Sequence, residues 1–205
     1  MCVCICFSSN WSEYVKVELL ALFSSNNNVR AYLVSDELSE EVKNSFVSLG
    51  YRCGAEVIII DLSKLYEKKL GGNRNVDTRF TKYTLYRLLL PEVINEDKLL
   101  YIDADAIVNG DLSEMYNMDM GDNLLAGCID TGIQEAQLKA IGFNVGDTYI
   151  NAGICLWNLK LIRELGLQDT WVKLCNENYY GCHDQDILNM TCAGRIIVLD
   201  AKYNV

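Results

Sequence analysis

Asp103 and Asp105 carry the plainest chemical signal in the chain. They follow the apolar run Leu99-Leu100-Tyr101-Ile102 and precede Ala106-Ile107-Val108. The run reads as a buried strand, so Asp-Ala-Asp stands at its carboxyl end. In an open parallel sheet, ligands bind beyond that end. If the chain stays extended, the spacing of the two aspartates turns both carboxylates to one side. Two close carboxylates repel unless something positive lies between them. A hard divalent cation, Mn²⁺ or Mg²⁺, supplies that charge and prefers oxygen ligands. Such a cation also bridges to a diphosphate, which lets an acidic protein hold an anionic substrate. A plainer reading stays open: both aspartates end a strand and shape the next turn.

Other residues suit the same edge. Asn151 lies in a strand and both donates and accepts hydrogen bonds, as sugar hydroxyls require. Gly153 permits close backbone approach, or marks a bulge. Asp184-Gln185-Asp186 opens a helix. Asp184 suits an N-cap and Asp186 complements the helix N-terminus. Gln185 has no capping duty there, so it is the more telling residue. Asp130 follows a strand, and it either faces the site or turns with Thr131-Gly132. Arg87 sits in the apolar helix Tyr83–Leu90 and needs an anionic partner, structural or functional. His183, the sole histidine, reads as a supporting or surface group.

The elements that must position these residues alternate. Residues 2–7, 29–34 and 57–61 read as strands. Residues 12–23 and 39–50 read as helices, the first with Tyr14, Val15, Val17, Leu19 and Leu20 as its apolar contacts. Residues 62–79 show no clear period and read as a surface loop. A helix over 81–90 ends or kinks at Pro91. Further strands are expected at 98–102, 124–129, 149–157 and 195–199, and helices at 134–141, 159–165, 169–177 and 184–192. The alternation predicts an α/β fold with a mostly parallel, Rossmann-like sheet flanked by helices on both faces.

Composition narrows the function. The chain has 205 residues, half of them hydrophobic, and fits one domain. A net charge of −10 argues against nucleic-acid binding, which needs a basic face. No apolar run approaches the roughly 20 residues of a membrane span. Met1–Phe7 lacks a basic leader and reads as a strand, not a signal peptide. The nine cysteines form no C-x-x-C pair and read as reduced thiols of a cytoplasmic protein. Cys2, Cys4 and Cys6 share one strand face, with Val3, Ile5 and Phe7 on the other.

Taken in order, four segments resemble glycosyltransferase family 8, the retaining galactosyl- and glucosyltransferases. Phe7-Ser8-Ser9-Asn10-Trp11 is similar to the opening nucleotide loop, and YIDADAIVNGDLSEMY over 101–116 to the D-x-D segment. YINAGICLWNL over 149–159 is similar to the F-N-A-G segment, and HDQDILN over 183–189 to the D-Q-D-x-L-N segment. Arg87 falls in a Y-x-R-L segment placed near the donor. The resemblance implies a GT-A nucleotide-diphospho-sugar transferase domain spanning 1–205, a UDP-sugar donor and a divalent metal on the diphosphate. Asp103 and Asp105 would hold the metal. Ser8 and Asn10 would line the nucleoside pocket. Arg87, Ala104, Asp130, Asn151, Ala152, Asp184 and Gln185 would surround the rest of the donor, with Asp184 and Gln185 as catalytic residues. Front-face attack and double displacement through Gln185 both remain open. The implied acceptor is a glycan, such as an oligosaccharide of the cell envelope.

Two departures from the family pattern stand out. Ser8-Ser9 replaces an aspartate of the opening loop. The sequence also stops at Val205, ahead of the later segment whose histidine and lysine serve metal and diphosphate. The resemblance therefore implies a C-terminally shortened member, with a missing tail that would supply peripheral contact with the inner membrane face. Two other functions stay in view. One is a nucleotide-binding paralogue without strong catalysis. The other is a haloacid-dehalogenase-type phosphatase, with Asp103 as nucleophile and Asp105 as acid/base.

Overall fold

Alternating burial builds the sheet. In β1 (Cys2–Cys6), Cys4 and Cys6 face one core cluster while Val3 and Ile5 face the other. The same alternation holds in β4 (Leu99–Ile102), where Leu99 and Tyr101 oppose Leu100 and Ile102. The computed structural model describes residues 1–76 and 81–205. Its seven strands also include β2 (Arg30–Val34), β3 (Glu56–Ile60), β5 (Leu125–Ile129), β6 (Ile150–Trp157) and β7 (Ile196–Val198), in the order β3-β2-β1-β4-β6-β5-β7. All pairings are parallel except those of β6, which runs against both β4 and β5. The expected mostly parallel α/β sheet is present, with one reversed strand beside its centre.

The helices are α1 (Ser12–Ser25), α2 (Glu40–Arg52), α3 (Ser63–Leu70), α4 (Lys82–Tyr86), α5 (Leu90–Val93), α6 (Ser113–Asn117), α7 (Glu135–Ala140), α8 (Leu159–Glu164), α9 (Leu167–Glu177) and α10 (His183–Cys192). α1 buries Val15, Leu19, Leu22 and Phe23, whereas Tyr14, Val17 and Leu20 are exposed. The expected apolar face was therefore drawn too wide. The expected loop over 62–79 is overturned by α3. Leu62, Tyr66 and Leu70 recur every four residues and are all buried, a stripe masked by the intervening lysines and glutamate. The last part of that loop, residues 77–79, lies outside the described residues. α6 was not expected at all.

Pro91 neither ends nor simply breaks its helix. It has no N–H to give the Arg87 carbonyl, so the Leu90 N–H bonds that carbonyl instead. Residues 87–89 tighten into a 3₁₀ turn, and α5 resumes with Pro91 in its first turn. Arg87 opens the tight segment. Among the described residues, no helix is long and apolar enough to cross a membrane.

Candidate functional site

β4 ends at Ile102 and the chain turns at once. The last ladder bond runs from the Asp103 N–H to the Gly153 carbonyl at 2.7 Å, and the Ala106 N–H then folds back to the Asp103 carbonyl at 3.1 Å. The expected extended D-A-D is thus a turn; the β6 groups that would continue the ladder bond side chains instead, the Gly153 N–H to Asn151, the Ala152 N–H to Gln185 and the Ala152 carbonyl to Arg87. Asp103 is held in place. Asp105 is exposed and makes no hydrogen bond or ion pair with a described residue. Ala104 between them packs against the core.

Arg87 gathers the surrounding residues. Its Nη1 donates to the Ala152 carbonyl and its Nη2 to Asp103 Oδ1, both at 2.8 Å. Its Nε lies 2.9 Å from Asp184 Oδ2, as an ion pair without hydrogen-bond alignment. The guanidinium carbon sits 4.2 Å from the centre of the Tyr101 ring. Burial works against the guanidinium charge, but Asp184, then Tyr101 and Asp103, outweigh it and hold Arg87 well above its ordinary value. The Asp184 carboxyl is pushed up to about 6, first by burial; Arg87 opposes that rise and Asp103 adds to it. Asp184 is therefore a buried ion-pair partner and not the N-cap, a position Cys182 occupies.

Gln185 forms the second group. Its Oε1 accepts from the Ala152 N–H at 3.0 Å, and its Nε2 donates to Asp130 Oδ2 at 2.8 Å and to the Tyr149 hydroxyl at 3.2 Å. Asp130 also forms the turn expected of it with Thr131-Gly132, its Oδ1 accepting from the Gly132 N–H at 2.8 Å. Asp186 accepts from the Tyr149 hydroxyl at 2.5 Å and from the Cys182 N–H at 2.8 Å, securing the start of α10. Asn189 clamps the Ile150 backbone, accepting from its N–H at 2.8 Å and donating to its carbonyl at 2.9 Å. These bonds dock α10 onto β6.

β6 is irregular where the site needs it. Between the Gly127–Cys155 and Ile129–Ile150 pairs, Cys128 alone faces residues 151–154. A Cβ on Gly153 would lie 2.6 Å from Asp103 Oδ2 and 2.9 Å from Asn151 Oδ1. Gly153 is therefore both a bulge residue and a point of close approach. An open cleft of about 1030 Å³ lies beside it, lined by Asp103, Asp105, Asn151, Gly153, Glu114 and Asn204 among others. Arg87, Asp130, Ala152, Asp184 and Gln185 do not line that cleft; they form the polar layer next to it. Ser8 and Asn10 stand past the carboxyl end of β1, which pairs with β4, and make no hydrogen bond to the Arg87 group.

His183 is buried, with its ring edge-on to Tyr179 at 5.8 Å, so the surface alternative for it does not hold. Sequence reasoning also missed Glu18, a fully buried carboxyl on α1 whose two oxygens have no hydrogen-bond partner among the described residues. Burial, then the Asp103 and Asp105 carboxylates, push it up to about 9. Its spacing from Val15, Leu19 and Leu22 was the available signal. Asn204 was missed because nothing in its local sequence points to the cleft.

The family model for Glycosyl transferase family 8 matches residues 2–205. The chain belongs to glycosyltransferase family 8. A putative glycosyltransferase of Haemophilus influenzae is 29% identical over 98% of this chain and 62% of its own length. A lipopolysaccharide 1,3-galactosyltransferase of Salmonella typhimurium is 22% identical over 93% of this chain and 58% of its own. The galactosyltransferase LgtC, solved with donor and acceptor sugar analogs, is 26% identical with a TM-score of 0.78, over 98% of this chain and 74% of that one. The chain thus spans about three-fifths of the length of those two curated relatives. The family 8 match displaces the phosphatase reading, and the GT-A architecture expected from the sequence is that of its structural neighbours.

Proposed function

We propose that this family 8 domain transfers a hexose, galactose or glucose, from a UDP-sugar to a hydroxyl of a glycan acceptor in the cell envelope, with retention at the anomeric carbon. The observation that carries this reading is the joining of Asp103, Ala152 and Asp184 by one buried Arg87, next to a cleft that presents Asp103, Asp105 and Asn151. The names of the Salmonella relative and of LgtC support galactose. The nine unbridged thiols support a cytoplasmic setting.

The residues fit a hard divalent cation in type. Asp103 keeps Oδ2 outside its Arg87 bond, and Asp105 has no described partner. They do not complete its shell, since no group of three His, Cys, Asp or Glu among the described residues is close enough to hold a metal. Asp103 and Asp105 would hold the ion, and diphosphate oxygens would fill further positions. When bound, it would supply positive charge for the departing UDP.

The chain's own groups do the rest. Arg87 bonds Asp103 and pairs with Asp184, so that Asp103 is held at the cleft edge. The Ala152 N–H fixes Gln185 Oε1, and Asp130 with Tyr149 fixes Gln185 Nε2. The sugar would then meet Asn151 in the cleft, backed by the layer that Asp130, Ala152 and Gln185 form next to it. The acceptor oxygen bonds to the anomeric carbon as the bond to the diphosphate breaks, and the leaving phosphate takes the acceptor proton. Ser8 and Asn10 contact the nucleoside, with a hydroxyl where a carboxylate is usual.

Calorimetric titration of UDP, with and without Mn²⁺, tests this reading beside an Asp103→Ala/Asp105→Ala variant. Metal-dependent binding lost in the variant is expected, followed by transfer from UDP-galactose. Absence of UDP binding in folded protein would overturn it.

A further inference from the structure

We infer that Asn204 is a positioning residue that locks the Asn151 side chain and turns it into a pure hydrogen-bond donor toward the cleft. Two bonds and one logical step carry this. The Gly153 N–H can only donate, so the Asn151 atom 2.9 Å from it must be Oδ1. The Asn204 atom 3.0 Å from that same Oδ1 must then be a donor, its Nδ2. Both acceptor sites of Oδ1 are now filled. The Asn151 NH₂ donates to no described residue, and Asn151 lines the cleft. What Asn151 can offer the cleft is two N–H donors and no acceptor.

The segment bearing Asn204 is itself anchored. Asp200 accepts from the Lys202 N–H at 2.9 Å, opening the single turn Ala201–Tyr203. The Tyr203 hydroxyl and Lys202 Nζ reach Glu114 of α6 at 3.1 and 3.4 Å. Asn204 is thus presented by a fixed turn, 53 residues along the chain from the residue it holds.

The consequence is a rule for the ligand. Asn151 recognises an oxygen through its lone pairs, whether of a phosphate or of a sugar hydroxyl, and cannot take the proton of a hydroxyl. This corrects the expectation that Asn151 both donates and accepts. The inference rests on the donor site proposed above for its ligand, but the lock itself exists in the free protein, so the two can fail separately.

The test has two parts. In the free protein, the side-chain amide signals of Asn151 are recorded by NMR in wild type and in Asn204→Ala. The variant is expected to broaden or shift them while those of Asn189 stay unchanged; an unchanged Asn151 amide overturns the lock. Binding of UDP-galactose and of UDP, each with Mn²⁺, is then measured for Asn204→Ala, Asn151→Ala and the double variant. Asn204→Ala should weaken one or both probes roughly 2- to 10-fold, the worth of one hydrogen bond. It should add nothing in the Asn151→Ala background, because it acts only through Asn151. Asn151→Asp keeps the acceptor for Gly153 and Asn204 but faces the cleft with an oxygen, and should bind worse than Asn151→Ala. Additive losses in the double variant, or Asn151→Asp binding as well as wild type, would overturn the inference. If wild type binds neither probe, the donor reading falls and the amide spectrum alone decides the lock.

Discussion

Arg87 and Glu18 are both buried ionisable residues near Asp103, yet the protein treats them in opposite ways. Arg87 lies with the core cluster on one face of the sheet and meets two carboxylates, a carbonyl and an aromatic ring. Glu18 lies on α1 among residues of the other cluster, and its carboxyl makes no hydrogen bond with any described residue. A buried charge persists only when its surroundings replace the water it lost. Arg87 keeps its charge and so organises the polar layer. Glu18 gives its charge up, since burial and the nearby aspartates hold it protonated to about pH 9.

Four substitutions would break or sharpen that contrast. Arg87→Met leaves Asp184 buried and unpaired, with Asp103 nearby. The expected loss is about 3–5 kcal/mol by denaturant unfolding, with UDP binding lost as well. Glu18→Gln should act in the other direction. The unfolded Glu18 loses its proton above its ordinary value of 4.5, while the folded one keeps it to about 9. The unfolded state binds fewer protons over that window, so wild-type stability falls as pH rises through it. Glu18→Gln should match wild type near pH 4.5 and exceed it by about 3 kcal/mol at pH 7, at 1.36 kcal/mol per unit. Urea unfolding at both pH values reads the difference, and an equal gap at both would refute it. Gly153→Ala drives a methyl against Asp103 and Asn151. It should cost about 1–3 kcal/mol in stability and weaken UDP binding in the same calorimetric titration. Lys202→Ala removes an exposed pair with Glu114 and should leave the urea unfolding midpoint almost unchanged.

Much of this was legible in the sequence. β4 and its terminal aspartates, the Arg87 problem and the odd placement of Gln185 all follow from residue type and position. The turn at Asp103 was not legible, because strand alternation says nothing about where a ladder stops. α3 was hidden because Leu62, Tyr66 and Leu70 are separated by Lys64, Lys68, Lys69 and Glu67, which dilute the pattern without breaking it. Glu18 was passed over because a charged residue on a helix is ordinarily solvated. Asn204 was out of reach, since a contact across 53 residues leaves no local trace.

The strand order also governs how the molecule must form. β1 sits between β2 and β4, and Val3 pairs with Leu100. β4 in turn waits for the reversed β6, whose Trp157 lies opposite Leu99. During synthesis the first three strands can pair with one another, but the flank of β1 stays open until β4 emerges, and that of β4 until β6 does. Contacts of this reach make assembly slow. Until they close, two apolar strand edges are offered to any neighbouring chain. Yield at elevated temperature should therefore be set by the time to reach residue 157 as much as by the stability of the finished fold.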